Sequence, residues 1–205
     1  MSNIFGNISN EILVIVIYYS MFLYFIILNI KDIKNKNKEI KEIEKRSYII
    51  LMFSIFIYVT IVIFLAYFIY YLSNKIYFLH YFILPPIFIY IGLIISLIGL
   101  IINIWGKISL GRYFSTTVTI CKGHKVIDKG PYKYIRHPIY SGAILIFLGI
   151  PIVYRNVLSI PLILILIFAY NYRASIEEEL LIKNLGEEYL NYKKRVKYKF
   201  FPYIF

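Results

Sequence analysis

An all-α integral membrane protein with about five transmembrane helices is the fold class that three observations predict. The 205 residues are 60% hydrophobic and 19% aromatic, with a mean hydropathy of +0.70, which is too apolar for an ordinary soluble domain. Apolar stretches run over Ile12–Ile30, Ile49–Leu72, Tyr81–Trp105, Ile139–Tyr154 and Val157–Tyr172. A helix needs roughly 20 residues to cross about 30 Å of hydrocarbon. Positive charge alternates between the connections: Lys31–Arg46, Gly106–Pro138 and the tail from Asn171 each hold seven Lys or Arg, and the intervening connections hold only Lys75 and Arg155. Basic loops remain cytosolic, so the alternation predicts an N-terminus outside and a C-terminus in the cytosol, a parity that requires an odd number of spans.

The elements follow in chain order. Met1–Asn10 lacks a basic leader and no small-residue cleavage site follows Ile12–Ile30, so that stretch reads as a retained span. Lys31–Lys45, rich in Lys, Asn and Glu, is a solvated connector. Ile49–Leu72 and Tyr81–Trp105 are the second and third spans, with His80 between them an ordinary surface residue. The last two stretches are short and separated only by Arg155-Asn156; they form either a tight helical hairpin or one long helix bent near Pro151. Residues 1–105 thus form a three-span region, and 106–205 a second region with a cytosolic loop, the hairpin and a C-terminal helix.

Several function classes are excluded. The net charge of +12 would suggest nucleic acid in a soluble chain, but topology accounts for the basic loops, and five acids are mixed into the tail, which suits attraction to lipid headgroups. Cys121 is the only cysteine, so no intramolecular disulfide forms. No His/Cys/Asp/Glu spacing makes a metal site, and the ending Pro202-Tyr203-Ile204-Phe205 offers no prenylation motif.

Bilayer physics does not explain the polar, ring-rich segment Gly130–Gly142. Gly111, Gly123 and Gly130 suit turns, and Pro131 and Pro138 restrict their neighbours, so the loop is expected to be ordered. Pro138 suits the first turn of a helix, which places Arg136 and His137 at its mouth. Unpaired N–H groups there favour an anion, and Tyr132, Tyr134 and Tyr140 offer faces for a heteroaromatic ring. Gly142 and Gly149 put two small residues on one helix face, a pattern that close packing explains. Arg173 directly follows an apolar stretch. On its own it reads as an end-of-helix anchor, and Glu177-Glu178-Glu179 as the start of a soluble helix. Yet Arg173 and Glu177 are four apart and share a face, where a carboxylate can orient a guanidinium toward a charged substrate.

In order and spacing, these residues resemble the isoprenylcysteine carboxyl methyltransferase family, of which the chain looks like a short member. The resemblance is carried by His124-Lys125-Val126-Ile127, Gly130-Pro131-Tyr132, Arg136-His137-Pro138-Ile139-Tyr140, Arg173 with Glu177-Glu178-Glu179, and Gly186-Glu187-Glu188-Tyr189-Leu190-Asn191-Tyr192-Lys193. It covers roughly Leu110–Pro202; the first three spans agree only in being hydrophobic. The resemblance implies that S-adenosylmethionine is held by the loop and the C-terminal helix, beside a lipid-accessible tunnel. His124, Lys125, Val126, Ile127, Tyr132, His137, Pro138, Ile139, Tyr140 and Glu177 would contact the cofactor, and Thr119 stands near a further cofactor position where the family carries a longer polar side chain. Arg173 and Glu177 would be the catalytic pair, with Arg173 on the substrate carboxylate. The membrane would be the plasma membrane in a prokaryote and the endoplasmic reticulum in a eukaryote.

The implied substrate is a lipid-linked or amphiphilic carboxylate entering from the bilayer. Such a carboxylate, with a pKa of about 3.5, is ionised at neutral pH and needs no general base. Phospholipid N-methyltransferases share the Arg-His-Pro and Glu-Glu signatures; an amine acceptor with a pKa near 10 would need Glu178 or His137 as base. A noncatalytic membrane protein on the same scaffold is the third reading.

Overall fold

Hydrocarbon-length apolar runs separated by proline and charged turns produce a helical structure. The computed structural model describes residues 42–114 and 125–202; the run Ile12–Ile30 and residues Thr119, Cys121 and His124 lie outside the described residues. The described helices are α1 (Glu42–Ser73), α2 (Ile87–Leu110), α3 (Pro138–Val153), α4 (Ile163–Leu185) and α5 (Glu187–Arg195), with short 3-10 segments at Tyr77–Phe82, Gly111–Tyr113, Gly130–Lys133 and Val157–Leu162. Among the described residues the β pairing is one isolated bridge, Ile83 to Asn156. By length and composition Arg46–Ser73, Ile87–Leu110 and Val157–Leu185 can each cross a membrane, and α3 is a shorter apolar helix. The protein is an all-α integral membrane protein.

Interior faces are set by periodicity. Ile55, Tyr58, Val59, Val62, Ala66 and Ile69 form the buried stripe of α1, whereas Phe53 and Phe64 are each 62% exposed on its other faces, as suits a helix with lipid for a solvent. Tyr58 donates to the Phe147 carbonyl at 2.8 Å, tying α1 to α3.

The seam between α2 and α3 is made by glycine. The two helices run antiparallel: a Cβ on Gly99 would lie 2.6 Å from the Gly142 carbonyl oxygen, and one on Gly92 would lie 2.8 Å from that of Gly149. Small residues let the backbones approach, and interhelical hydrogen bonds from Ser96 to Ile146 O and from Asn103 to Ile139 O reinforce the contact. The Gly142–Gly149 spacing is therefore a packing stripe. Gly142→Ala is expected to overpack this seam by about 1–3 kcal/mol. A thermal midpoint in detergent equal to that of the parent protein would contradict this.

Two boundaries that contain proline differ from the sequence expectation. The third span begins at Ile87 rather than Tyr81, because the successive Pro85 and Pro86 supply no amide donors to extend a helix toward Tyr81 and instead lead into the first turn. The last apolar stretch enters through a 3-10 turn containing Pro161, and α4 then continues unbroken to Leu185, carrying Arg173 and the glutamates on the same helix. Between α3 and α4 the chain breaks into two separate helices rather than one bent rod. Arg155 adopts a left-handed φ of 58°, its Nε donates to Leu84 O at 2.6 Å, and its carbonyl accepts from Leu84 N. Pro151 lies within α3 and causes no break there.

Candidate active site

The loop enters α3 through two constrained turns. Gly130 has a φ of 59°, and a Cβ there would collide with the Ser109 hydroxyl, so glycine is required twice over. The 3-10 turn Gly130–Lys133 buries Pro131 and Tyr132, and Tyr192 of α5 donates to the Tyr132 carbonyl at 2.9 Å. His137, 6% exposed, caps α3 as the residue before Pro138. Its ring lies parallel to that of Tyr140, with centroids 5.4 Å apart.

Helix α4 turns its charged face to this corner. Tyr140 donates to Glu177 Oε2 at 2.9 Å, and its hydroxyl accepts from Arg173 Nε at 3.2 Å, so the tyrosine bridges the two residues expected to pair directly. Arg173 is only 4% exposed; its Nη1 reaches Ser47 Oγ at 3.3 Å and its guanidinium lies over the Tyr48 ring at 5.3 Å. His137 sits between two carboxylates, with Nδ1 3.6 Å from Glu177 Oε2 and Nε2 3.1 Å from Glu178 Oε1. Glu178 also accepts from Arg136 Nε at 2.8 Å and pairs with Lys193 at 2.7 Å. Among the described residues no cluster of three or more His, Cys, Asp and Glu suits a metal.

Both imidazole nitrogens face carboxylates, an arrangement suited to the imidazolium. Burial disfavours that charge, but the adjacent Glu177 and Glu178 carboxylates outweigh it and raise the His137 pKa above its ordinary value. Folding therefore favours protonation; the stability gained is full below about pH 6.5 and is lost as pH rises through the raised value. The thermal midpoint is expected to fall between about pH 6 and about pH 9, with a shallower slope in His137→Gln. Identical slopes in the two proteins would remove His137 as the titrating group.

The C-terminal tail closes over the same corner. The Arg136 and His137 amides donate to the Tyr198 and Lys199 carbonyls at 3.0 Å each, the Arg136 side chain donates to Val196 O and Lys197 O, and Ser141 donates to Phe200 O. Lys199 reaches back to Asn171 and Ser175 on α4. The Arg136 and His137 amides, just ahead of α3, are thus taken up by the tail.

Of the residues expected from sequence, His137, Tyr140, Arg173 and Glu177 meet in one network. Pro138 and Ile139 turn instead toward α2, where a Cβ on Gly106 would meet both. Val126 donates its amide to Glu188 and packs on Tyr189 and Tyr192 of α5 and on Val196 just after it, with exposed Lys125 and half-buried Ile127 beside it. Burial raises the pKa of the Tyr132 hydroxyl and the charge of Glu177 adds to that, placing Tyr132 within the field of the network. Sequence reasoning missed the hub role of Glu178, whose one signal was its place beside Glu177, and the contributions of Arg136, Lys193 and α1.

A family model described as phospholipid methyltransferase matches residues 87–188. A probable protein-S-isoprenylcysteine O-methyltransferase of Oryza sativa subsp. indica is 32% identical over 110 residues, covering 52% of this chain and 58% of the relative. The protein-S-isoprenylcysteine O-methyltransferase of Schizosaccharomyces pombe is 32% identical over 76 residues, covering 37% of this chain and 32% of the relative. The matches thus span about half or less of these relatives' lengths. A solved structure of the eukaryotic intramembrane Ras methyltransferase ICMT (isoprenylcysteine carboxyl methyltransferase) superposes with a TM-score of 0.58 at 22% identity, covering 71% of this chain and 52% of that one, and so shares the fold. Motifs and curated sequences from a plant and a yeast carry one family resemblance, to the isoprenylcysteine carboxyl methyltransferases, and the solved structure adds a shared fold.

Proposed function

We propose that the protein is a membrane-embedded methyltransferase that esterifies the carboxylate of a lipid-linked, isoprenylcysteine-like substrate. The observation that carries this reading is Arg173, a nearly buried guanidinium beside the Tyr140, Glu177 and His137 network. A cation so placed binds a carboxylate and repels an ammonium.

The residues fit S-adenosylmethionine. Glu177 keeps 29% of its side chain exposed and can accept from a cationic ligand, and the His137, Tyr140 and Tyr132 rings offer faces to a heteroaromatic base. Val126, Ile127 and Lys125 would complete the seat, while Pro138 and Ile139, turned toward α2, would support it from behind. Bound there, the cofactor supplies an electrophilic sulfonium methyl. Arg173 holds the substrate carboxylate and limits its orientation, an effect worth up to about 7–11 kcal/mol in ideal cases. Tyr140 couples Arg173 to Glu177, so the guanidinium is shared and the nucleophile keeps its charge. No proton transfer is needed. We further assign the basic loops and the C-terminus to the cytosol.

The family-model description favours a phospholipid N-methyltransferase as the second reading. That chemistry needs a base, and both candidates are engaged: Glu178 by Arg136, His137 and Lys193, and His137 by two carboxylates. The test combines calorimetric binding of S-adenosylhomocysteine to detergent-purified protein with labelled-methyl transfer to a prenylcysteine analogue and to phosphatidylethanolamine. A base-labile product from the prenylcysteine alone is expected. Transfer only to the amine would establish the second reading, and absence of S-adenosylhomocysteine binding would sink both.

A further inference from the structure

We propose that Ser47 and Tyr48, at the start of α1, are positioning residues that fix the orientation of Arg173. The inference rests on reading Arg173 as the carboxylate's partner. Both residues lie outside the 87–188 family match, and Ser47 stands 126 positions from Arg173 in the chain.

Among the described residues, three contacts constrain the plane of the guanidinium. Nε donates to the Tyr140 hydroxyl at 3.2 Å, Nη1 donates to Ser47 Oγ at 3.3 Å, and the Tyr48 ring covers one face at 5.3 Å. A planar fork held along one edge, at a second nitrogen and across a face has few orientations left, whereas a long side chain otherwise samples many rotamers. Ser47 is 1% exposed and Tyr48 7%, so this seat is interior, where cation–π attraction is stronger than in water. The Ser47 and Tyr140 hydroxyl oxygens and the Tyr48 ring face hold the cation through dipole and quadrupole, adding no negative charge of their own. Preorganising the fork lowers the cost of binding an anion in a fixed pose. The bland alternative is that Ser47 and Tyr48 merely fill space where α1 meets α4. It makes a different prediction, because packing depends on volume while a π seat depends on the ring.

The test uses the full chain in nanodiscs with 15N-labelled arginine, the Arg173 signal being assigned by its loss in Arg173→Lys. Tyr48→Leu is expected to move the Arg173 guanidinium resonance and raise KM for a prenylcysteine analogue about tenfold or more, with S-adenosylhomocysteine affinity within about twofold of the parent. Tyr48→Phe, which keeps the ring, should reproduce the parent in both readouts, and Ser47→Ala should move the resonance with a smaller rise in KM. A resonance that stays put in Tyr48→Leu overturns the seat on α1. Equal losses in Tyr48→Phe and Tyr48→Leu also overturn it. A resonance that moves while acceptor KM stays constant overturns instead the reading of Arg173 as the carboxylate's partner.

Discussion

Arg173→Ala is expected to lower kcat/KM for ester formation at least about a hundredfold, or about 2.7 kcal/mol of transition-state stabilisation, while S-adenosylhomocysteine affinity stays within about threefold. The reason is positional. Arg173 meets Glu177 through the Tyr140 hydroxyl, so removing it deletes the proposed carboxylate partner and spares the groups assigned to the cofactor. Some stability is lost as well, since the Ser47 and Tyr140 hydroxyls each lose a charged donor. Arg173→Lys separates charge from geometry: an ammonium keeps the attraction but cannot serve Tyr140, Ser47 and a carboxylate with one planar fork, so an intermediate loss is expected. A parallel drop in ester formation and cofactor affinity on Arg173→Ala would refute the division of labour, placing the arginine in the cofactor seat.

Sequence reading reached what local pattern encodes. Ile49–Leu72 anticipated the membrane part of α1 and Ile139–Tyr154 anticipated α3 within a residue at each end, because both are apolar runs bounded by charge or proline. It placed α2 six residues early by following hydrophobicity through Pro85-Pro86, where backbone chemistry overrides composition. For the candidate site, His137, Tyr140, Arg173 and Glu177 stood out because each belongs to a short motif, and the structure brings these four together. The insertion of Tyr140 between Arg173 and Glu177 was not legible, since helical spacing predicts that i and i+4 meet but not what a second helix places between them. Equally hidden were the tail's cover over Arg136 and the reach of Arg173 to Ser47, contacts some 60 and 126 residues apart that leave no periodic trace.

Glu178→Gln is expected to destabilise the fold by about 3–5 kcal/mol, the cost of removing one partner from a buried ion pair. Glu178 is 5% exposed and is the acid on which Arg136, His137 and Lys193 converge, so the amide would leave the Arg136 guanidinium and the imidazolium facing a neutral group. Lys193 contributes little to this figure, because its side chain is 41% exposed and solvent screens it. Damage should spread to the tail, since the Arg136 side chain that pairs with Glu178 also holds the Val196 and Lys197 carbonyls. The midpoint should therefore drop by on the order of 10 °C in detergent, and protease should reach the residues after Val196 sooner. Glu179→Gln is the control: that neighbour is exposed, and its loss should change stability by less than about 0.5 kcal/mol. The double change Arg136→Met with Glu178→Leu should recover part of the stability, because it removes the arginine left unpaired along with its acid. If Glu178→Gln melts with Glu179→Gln, the cluster does not hold tail and α4 together, and Lys199 must carry that contact instead.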